Sequence, residues 1–350
     1  MTVESIYSDL KQKLHDVVPD VELRYKAELA YEINLLKEKR NAVILGHNYM
    51  EPALFHSIPD YAGDSLELSR VASQTDKDLI VFCGVRFMAE TAKILSPQKT
   101  VLIPSKKAGC SLADGITAED VRKLKVRYAG VPVVTYINTS AEVKAESDIC
   151  CTSSNAVSVV QSLKNETIIF LPDEYLARNV AKETERHIIF PSLNGGDFSS
   201  NTLLDKPILG WNARCEVHEK FTIEDIRDIR KQFPDVYVLA HPECSPEVVA
   251  ASDYSGSTTQ MIRQIEKSNA PRFLLLTECS MGDNIMAAHP EKNMLRLCSI
   301  RCPHMNEITL EDTLESLKQT RYVVDVPEEI RVRALRAVER MLKIIPKTSD

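Results

Sequence analysis

Three cysteines recur at similar intervals along the chain and could together hold a metal centre. They are Cys110 in KKAGCSLAD, Cys215 in GWNARCEVH and Cys302 in CSIRCPHM, separated by 105 and 87 residues. Ligation by sulfur alone favours zinc or an iron–sulfur cluster, and the spacing does not decide between them. Three thiolates would leave one coordination position open, which is where a bound metal can act on a substrate.

The chain has nine cysteines, and we expect them to be reduced. The first twenty residues are rich in charge and contain no long apolar segment, so neither a secretory signal nor a membrane span is predicted. A cytoplasmic location is therefore expected, where thiols do not form a disulfide framework. Cys83, Cys150 and Cys151 are predicted to pack in the core, and Cys244 and Cys279 are interpreted as structural.

Polar side chains follow three predicted apolar strands, which are AVILGHN, VPVVTYIN and VYVLAHPE. In open parallel sheets, ligands bind beyond the carboxyl ends of the strands. Polar residues in these positions are therefore candidates for a binding or catalytic site. They are His47, Tyr49, Tyr136, Asn138, His241 and Glu243.

Hydroxyl side chains recur at the start of the helix that follows each of these strands. They are Ser65 in GDSLELSRVA, Ser153 in CTSSNAVSVV, and Ser257 with Thr258 in GSTTQMIRQI. N-capping alone would explain serine and threonine there. If three units face a common centre, however, their helix N-termini would also favour bound carboxylate or phosphate. The pattern therefore predicts a small polyanionic substrate.

The elements that carry these residues are repeated. ITAEDVRKL matches FTIEDIRDI, and SAEVKAESD matches SPEVVAASD, both at an offset of 105 residues. A third copy appears in DYAGDS from Asp60, which matches DICCTS from Asp148 and DYSGST from Asp253. The cysteine intervals follow the same offsets, so the chain is predicted to contain three related units, each with one cysteine.

Each unit alternates helices with short, nearly continuous apolar strands, which is typical of parallel strands covered on both faces. We predict an α/β fold of three pseudo-threefold-related α/β/α sandwich domains with small parallel sheets around a central cluster site. The predicted domains are residues 1–111, 112–216 and 217–302, with residues 303–350 packing on the first. The stretch PEEIRVRALRAVERMLKII is predicted to be a packing helix.

The composition excludes some classes of partner. The chain has 43 basic and 50 acidic side chains, a net charge of −7, and no long basic run. This balance argues against nucleic acid or an anionic membrane as the main partner. With 44% hydrophobic and 27% charged residues, the chain is typical of a packed globular protein.

Ten short motifs occur in order from His47 to Met305: HNY, GDS, AGCSLAD, TYINTS, CTSSNA, CEVH, HPE, GST, TE and CPHM. In these motifs the chain resembles the quinolinate synthase family, the iron–sulfur enzymes of de novo NAD biosynthesis. The chain departs from many members of that family in having Cys298 and Cys302 where they carry CxxCxxC, and in the loop that begins at Pro172.

The resemblance implies three α/β/α domains around a pseudo-threefold axis and a [4Fe-4S] cluster at the centre. Its ligands would be Cys110, Cys215 and Cys302, with one iron open to act as a Lewis acid. The implied reaction condenses iminoaspartate with dihydroxyacetone phosphate to quinolinate and releases phosphate and two waters. Transient contact with the L-aspartate oxidase that makes the imine is a further expectation.

The resemblance also implies roles for the polar residues. Glu243 is expected to be the general base, with Tyr49 and His241 assisting and Tyr136 as a further proton shuttle. The residues expected to anchor the substrates are His47, Ser65, Asn138, Ser153, His218, Ser257 and Thr258.

Two other functions remain open on the sequence alone. One is a non-catalytic iron–sulfur sensor, which would need a DNA-binding or partner-binding element; no helix-turn-helix or basic patch is evident. The other is a zinc-dependent α/β lyase that uses the same three thiolates. A brown protein would favour the cluster, whereas a colourless protein with stoichiometric zinc would exclude it.

Overall fold

The computed structural model describes residues 1–191, 206–295 and 300–345. Its strands form three small sheets, and every strand pairing within them is parallel. Helices alternate with the strands along the chain. The predicted α/β class and the small parallel sheets are therefore confirmed.

The first sheet has the strand order β2-β1-β3-β4. Its strands are β1 (Ala42–His47), β2 (Tyr61–Gly63), β3 (Leu79–Cys83) and β4 (Thr100–Leu102). The accompanying helices are α1 (Val3–Leu14), α2 (Asp20–Lys39), α3 (Pro52–Phe55), α4 (Ser65–Gln74) and α5 (Arg86–Leu95).

The second sheet has the order β6-β5-β7-β9-β8. Its strands are β5 (Val133–Tyr136), β6 (Ile149–Cys151), β7 (Ile168–Leu171), β8 (Ile188–Ile189) and β9 (Ile208–Leu209). Its helices are α6 (Ser111–Asp114), α7 (Ala118–Arg127), α8 (Ala141–Ala145), α9 (Ala156–Ser162) and α10 (Glu174–Glu183).

The third sheet has the order β11-β10-β12-β13. Its strands are β10 (Val236–Ala240), β11 (Tyr254–Ser255), β12 (Arg272–Leu276) and β13 (Met294–Leu295). Its helices are α11 (Ile223–Gln232), α12 (Pro246–Ala251), α13 (Thr258–Lys267) and α14 (Cys279–Ala288), and the chain continues with α15 (Leu310–Gln319) and α16 (Glu328–Leu342).

One aspartate in each sequence repeat makes the same contact in all three sheets. Its carboxylate accepts a hydrogen bond of 2.8 Å from a backbone N–H on the neighbouring first strand. The pairs are Asp60 with Ile44, Asp148 with Val133, and Asp253 with Val238. The repeats detected in the sequence therefore have equivalent structures, and these pairs set the register in which the three units can be compared.

A second repeated feature extends to a copy that the sequence comparison missed. A threonine lies seven residues after each of the three predicted metal-binding cysteines, and its hydroxyl caps the helix that follows by accepting the N–H of an aspartate three residues on. The third copy is ITLED from Ile308, which begins α15. Because α15 packs against α2 and β3, this copy returns the chain to the first sheet.

The cap of α11 gives a test of this local structure. Replacing Thr222 with alanine should lower the free energy of unfolding by about 1 kcal/mol, because the N–H of Asp225 loses its acceptor. Denaturant unfolding would measure the change, and Thr222→Ser, which keeps the hydroxyl, should remain close to wild type. An unchanged unfolding free energy in the alanine variant would contradict the capping role.

The last helix joins the first two groups of elements. α16 contacts α8 and β6 on one side and α5 on the other. It buries Ala334, Ala337, Val338 and Met341, so it is a packing helix as its periodicity predicted. The domain boundaries given above remain a prediction.

The core lies between these sheets and helices. β1 and β3 are buried along their whole length, which explains their nearly continuous apolar sequences. Cys83, Cys150 and Cys151 are fully buried, as predicted. Within the described parts of the chain, no helix has the combination of length and hydrophobicity that crossing a bilayer requires.

Candidate active site

The polar residues predicted from the strand ends surround one cavity. All three repeated cysteines border the same cavity, although the chain separates them widely. The predicted residues in its wall are His47, Tyr49, Ser65, Cys110, Tyr136, Asn138, Ser153, Cys215, His218, His241, Glu243, Thr258 and Cys302. Ser257 is the one predicted residue outside the wall.

The three first strands deliver their polar residues in the same register. With the aspartate contacts as the reference, His47, Tyr136 and His241 occupy equivalent positions. Two residues further along, the equivalent positions hold Tyr49, Asn138 and Glu243. Each unit therefore contributes two side chains to the same site. The residue types at these equivalent positions differ between the units, so each unit brings different chemical groups.

The two histidines at these positions are held in the same way. The backbone N–H of Tyr49 donates to Nδ1 of His47 at 3.2 Å, and that of Glu243 donates to Nδ1 of His241 at 3.3 Å. Burial lowers the pKa of His47 to about 4 and that of His241 to about 3. Both rings are thus neutral at neutral pH, with the hydrogen on Nε2 available for donation.

Glu243 lines the cavity and is only 3% exposed. The hydroxyl of Tyr136 donates to Oε1, and Nδ1 of His218 lies 2.7 Å from Oε2. Burial opposes its charge, but the imidazoles of His218 and His241 and these hydrogen bonds outweigh burial and hold the pKa of Glu243 below its ordinary value. The carboxylate is therefore ionised and can accept a proton.

The two tyrosines supply protons rather than charge. Burial, reinforced by the negative charge of Glu243, raises the pKa of Tyr49 and of Tyr136 well above the ordinary value. Both hydroxyls stay protonated at neutral pH and can donate hydrogen bonds.

The three cysteines are partly exposed, but their thiols are desolvated enough to stay protonated without a metal. Desolvation raises the pKa of Cys110 to about 12 and that of Cys302 to about 11, and raises the pKa of Cys215 as well. A negative charge on Cys302 raises the pKa of Cys110 further, and a charge on Cys110 raises that of Cys215. Cys110 thus lies close enough to both other thiols to interact with them. A metal that bound here would displace their protons.

A second, tighter group could hold a single ion. Cys215, His218 and Glu243 place one ligand atom each within 4.8 Å of one another. Sulfur, imidazole nitrogen and carboxylate oxygen are all ligands that zinc accepts. The cavity therefore offers two donor sets that share Cys215: the three thiols, and this mixed group.

The three helix N-termini meet at Asp64, which the sequence analysis did not identify. Its Oδ1 caps α4 by accepting the N–H groups of Leu66 and Glu67, each at 3.0 Å. Its Oδ2 accepts the hydroxyls of Ser154 at 2.7 Å and Ser257 at 2.9 Å. One carboxylate thus joins residues that precede or begin helices of all three units.

The hydroxyls predicted as helix caps have different positions. Ser257 caps α13, as predicted, but Asp64 precedes α4 and Asn155 precedes α9. Ser65 and Ser153 are therefore not the caps; they line the cavity instead. The Ser153 hydroxyl also hydrogen-bonds Tyr136.

The comparisons with known proteins agree with one another. The family model described as quinolinate synthetase A protein matches residues 31–343. The chain is 51% identical over 343 residues to quinolinate synthase 2 of Mesorhizobium japonicum, covering 98% of this chain and 99% of the relative. It is 50% identical to the quinolinate synthase of Agrobacterium fabrum, covering 96% and 92% of the two chains.

The chain belongs to the quinolinate synthase family. The quinolinate synthase of Xylella fastidiosa is similar as well, at 52% identity over 309 residues, with 88% of this chain and 85% of the relative covered. The resemblance inferred from the ten motifs is thus confirmed, and the chain is an enzyme of the quinolinate synthase type.

Asn48, the middle residue of the HNY motif, is a further polar residue near the site that the sequence analysis did not assign. Asn48 is buried, and its side-chain amide donates to the hydroxyl oxygen of Thr258 at 2.9 Å. The hydroxyl hydrogen of Thr258 is therefore free to donate to a ligand in the cavity. Its place between two assigned residues was the only signal in the sequence.

Proposed function

We propose that this enzyme condenses iminoaspartate with dihydroxyacetone phosphate to form quinolinate, phosphate and two waters, in de novo NAD biosynthesis. The observation that carries the proposal is that three cysteines line the same cavity as the ionised Glu243. The relatives named quinolinate synthase, which match almost the full chain, support it. Contact with L-aspartate oxidase remains a prediction.

Cys110, Cys215 and Cys302 would hold a [4Fe-4S] cluster. Their three soft sulfur donors fit such a group, because iron–sulfur clusters are held by thiolates. A bound cluster with one iron free of protein ligands would supply a Lewis acid that polarises an oxygen or nitrogen of the substrate. The other steps fall to side chains of this chain.

Glu243 is the proposed base. Carbon–carbon bond formation requires the carbon next to the imine of iminoaspartate to lose a proton, which gives the enamine. The Glu243 carboxylate is ionised and so can accept that proton, and hydrogen bonds from Tyr136 and His218 orient it. Its two oxygens are held in place by these bonds, so little reorganisation is needed when the proton moves.

Loss of two waters requires proton donors near the departing hydroxyl groups. Tyr49 and Tyr136 retain their protons, and neutral His241 presents Nε2–H. These residues are the proposed acids, with Tyr136 also able to pass a proton to or from Glu243.

The anchoring residues suit substrates with several negative charges. Ser65, Ser153 and Thr258 present hydroxyls to the cavity close to the helix N-termini, where partial positive charge favours carboxylate and phosphate. His47, Asn138 and His218 would orient the substrates. Ser257 would act through Asp64 rather than by direct contact. Enclosure of the site would also limit hydrolysis of the reactive imine.

An anaerobic assay tests this function. The purified protein, iminoaspartate generated in the reaction mixture and dihydroxyacetone phosphate should yield quinolinate and phosphate in equal amounts, and omission of either substrate should yield none. The protein should be brown and contain iron and acid-labile sulfide. A brown protein that forms no quinolinate would contradict the proposed reaction.

A zinc-dependent α/β lyase is the second candidate, and the mixed Cys215, His218 and Glu243 group is the observation that favours it. Metal analysis separates the two candidates. A colourless protein with one zinc per chain and no sulfide would support the lyase, whereas iron and sulfide in similar amounts would exclude it.

A further inference from the structure

We propose that Thr277 is a positioning residue that couples Tyr49 to the His218–Glu243 pair, so that the proton donor and the base act as one hydrogen-bonded unit. The inference rests on the proposed function, because it assigns a part in that reaction to a residue outside the cavity wall. Thr277 directly follows β12 and is 2% exposed.

The hydroxyl of Thr277 contacts two groups at once. It hydrogen-bonds the hydroxyl of Tyr49, and it lies 2.9 Å from Nε2 of His218. The hydroxyl oxygen of Tyr49 lies 3.5 Å from Nε2 of His218, so the direct hydrogen bond between them is weak. Thr277 therefore supplies the main connection between them.

The ionised carboxylate fixes one donor in this chain of hydrogen bonds. Oε2 of Glu243 can only accept, so Nδ1 of His218 carries a hydrogen. On the other side of the ring, Nε2 is hydrogen-bonded to the hydroxyl of Thr277, and the same hydroxyl is hydrogen-bonded to that of Tyr49. Thr277 and His218 therefore link Tyr49 to Glu243 and restrict the orientations of both side chains.

The equivalent positions in the other two units cannot make this connection. The strand register places Gly84 after β3 and Pro172 after β7 where Thr277 follows β12. Neither residue has a side-chain hydroxyl. Of the three units, the one that supplies Glu243 has a hydroxyl at this position. This is expected if the hydroxyl serves to orient that carboxylate.

Removal of the hydroxyl without loss of volume is the appropriate test. Thr277→Val should lower kcat by roughly 10- to 100-fold, the range typical of lost positioning contacts. The KM values and iron content should change little, because Thr277 touches neither the cavity space nor the cysteines. Thr277→Ser, which restores the hydroxyl, should recover most of kcat.

Thr313→Val is a matched control, since Thr313 is a fully buried threonine in α15 whose hydroxyl contacts Cys83 and the carbonyl of Thr309. It should keep wild-type kcat.

Thr277→Val with wild-type kcat, or Thr277→Ser as impaired as Thr277→Val, would overturn the inference. If Thr277→Val fails to fold, the Ser variant decides: near wild-type kcat supports the hydroxyl role, and a value at least tenfold lower rejects it. Failure of the wild type to form quinolinate would instead reject the proposed function.

Discussion

Replacing Cys215 with serine is expected to remove the metal and abolish quinolinate formation. Serine offers a hard oxygen in place of a soft thiolate and is a poor ligand for iron–sulfur centres. Iron and sulfide analysis, the visible spectrum and the anaerobic assay would each report the loss. Cys150→Ala is the control for loss of a thiol, because Cys150 is fully buried in the core and does not line the cavity. That variant should retain both metal and product.

A parallel variant, Cys302→Ser, distinguishes the two donor sets. Cys302 belongs to the three-thiol set but not to the mixed group of Cys215, His218 and Glu243. If the three thiols hold the metal, both serine variants should lose it. Metal loss in Cys215→Ser with full retention in Cys302→Ser would contradict the cluster and favour a single ion. If Cys150→Ala and Cys215→Ser lost metal and activity to the same extent, the assignment of Cys215 as a ligand and Cys150 as a core residue would be contradicted.

Replacing Glu243 with glutamine is expected to lower kcat by roughly 100-fold or more while leaving the metal in place. The amide keeps the size of the side chain and can still accept the hydroxyl of Tyr136, but it cannot take up a proton. The anaerobic assay gives kcat, and iron analysis shows that the metal centre is intact.

Glu90→Gln controls for the loss of a buried carboxylate. Glu90 is 5% exposed, accepts hydrogen bonds from Arg86 and the N–H of Ala141, and does not line the cavity. Its replacement should reduce stability and leave kcat near wild type. Normal activity in Glu243→Gln would contradict the assignment of the base, as would a similar loss of kcat in both variants.

Much of the fold could be predicted because it depends on local sequence. Strands covered on both faces must be apolar along their length, so they can be recognised in the sequence as short apolar runs. The repeat was visible because Asp60, Asp148 and Asp253 make one contact that requires an aspartate. The third capping threonine, Thr309, was missed although ITLED shares Thr, Glu and Asp with ITAED and FTIED, because it lies beyond residue 302, where the last predicted unit ends.

The site was less accessible to sequence analysis wherever it depends on how the units meet. Asp64 and Ser65 are both good N-cap residues, so propensity could not show which of them caps α4. The hydrogen bonds of Asp64 to Ser257 and of Thr277 to Tyr49 join residues far apart in the chain. No local pattern encodes such pairs. Cys298, where the chain departs from the CxxCxxC of many family members, lies outside the described residues.

The most direct test of the account is a crystal structure of the anaerobically prepared protein with the iron located by anomalous scattering. The account predicts a cluster of four irons held by the sulfur atoms of Cys110, Cys215 and Cys302, with one iron bound to no protein atom. A single metal between Cys215, His218 and Glu243, with Cys110 and Cys302 unligated, would contradict it.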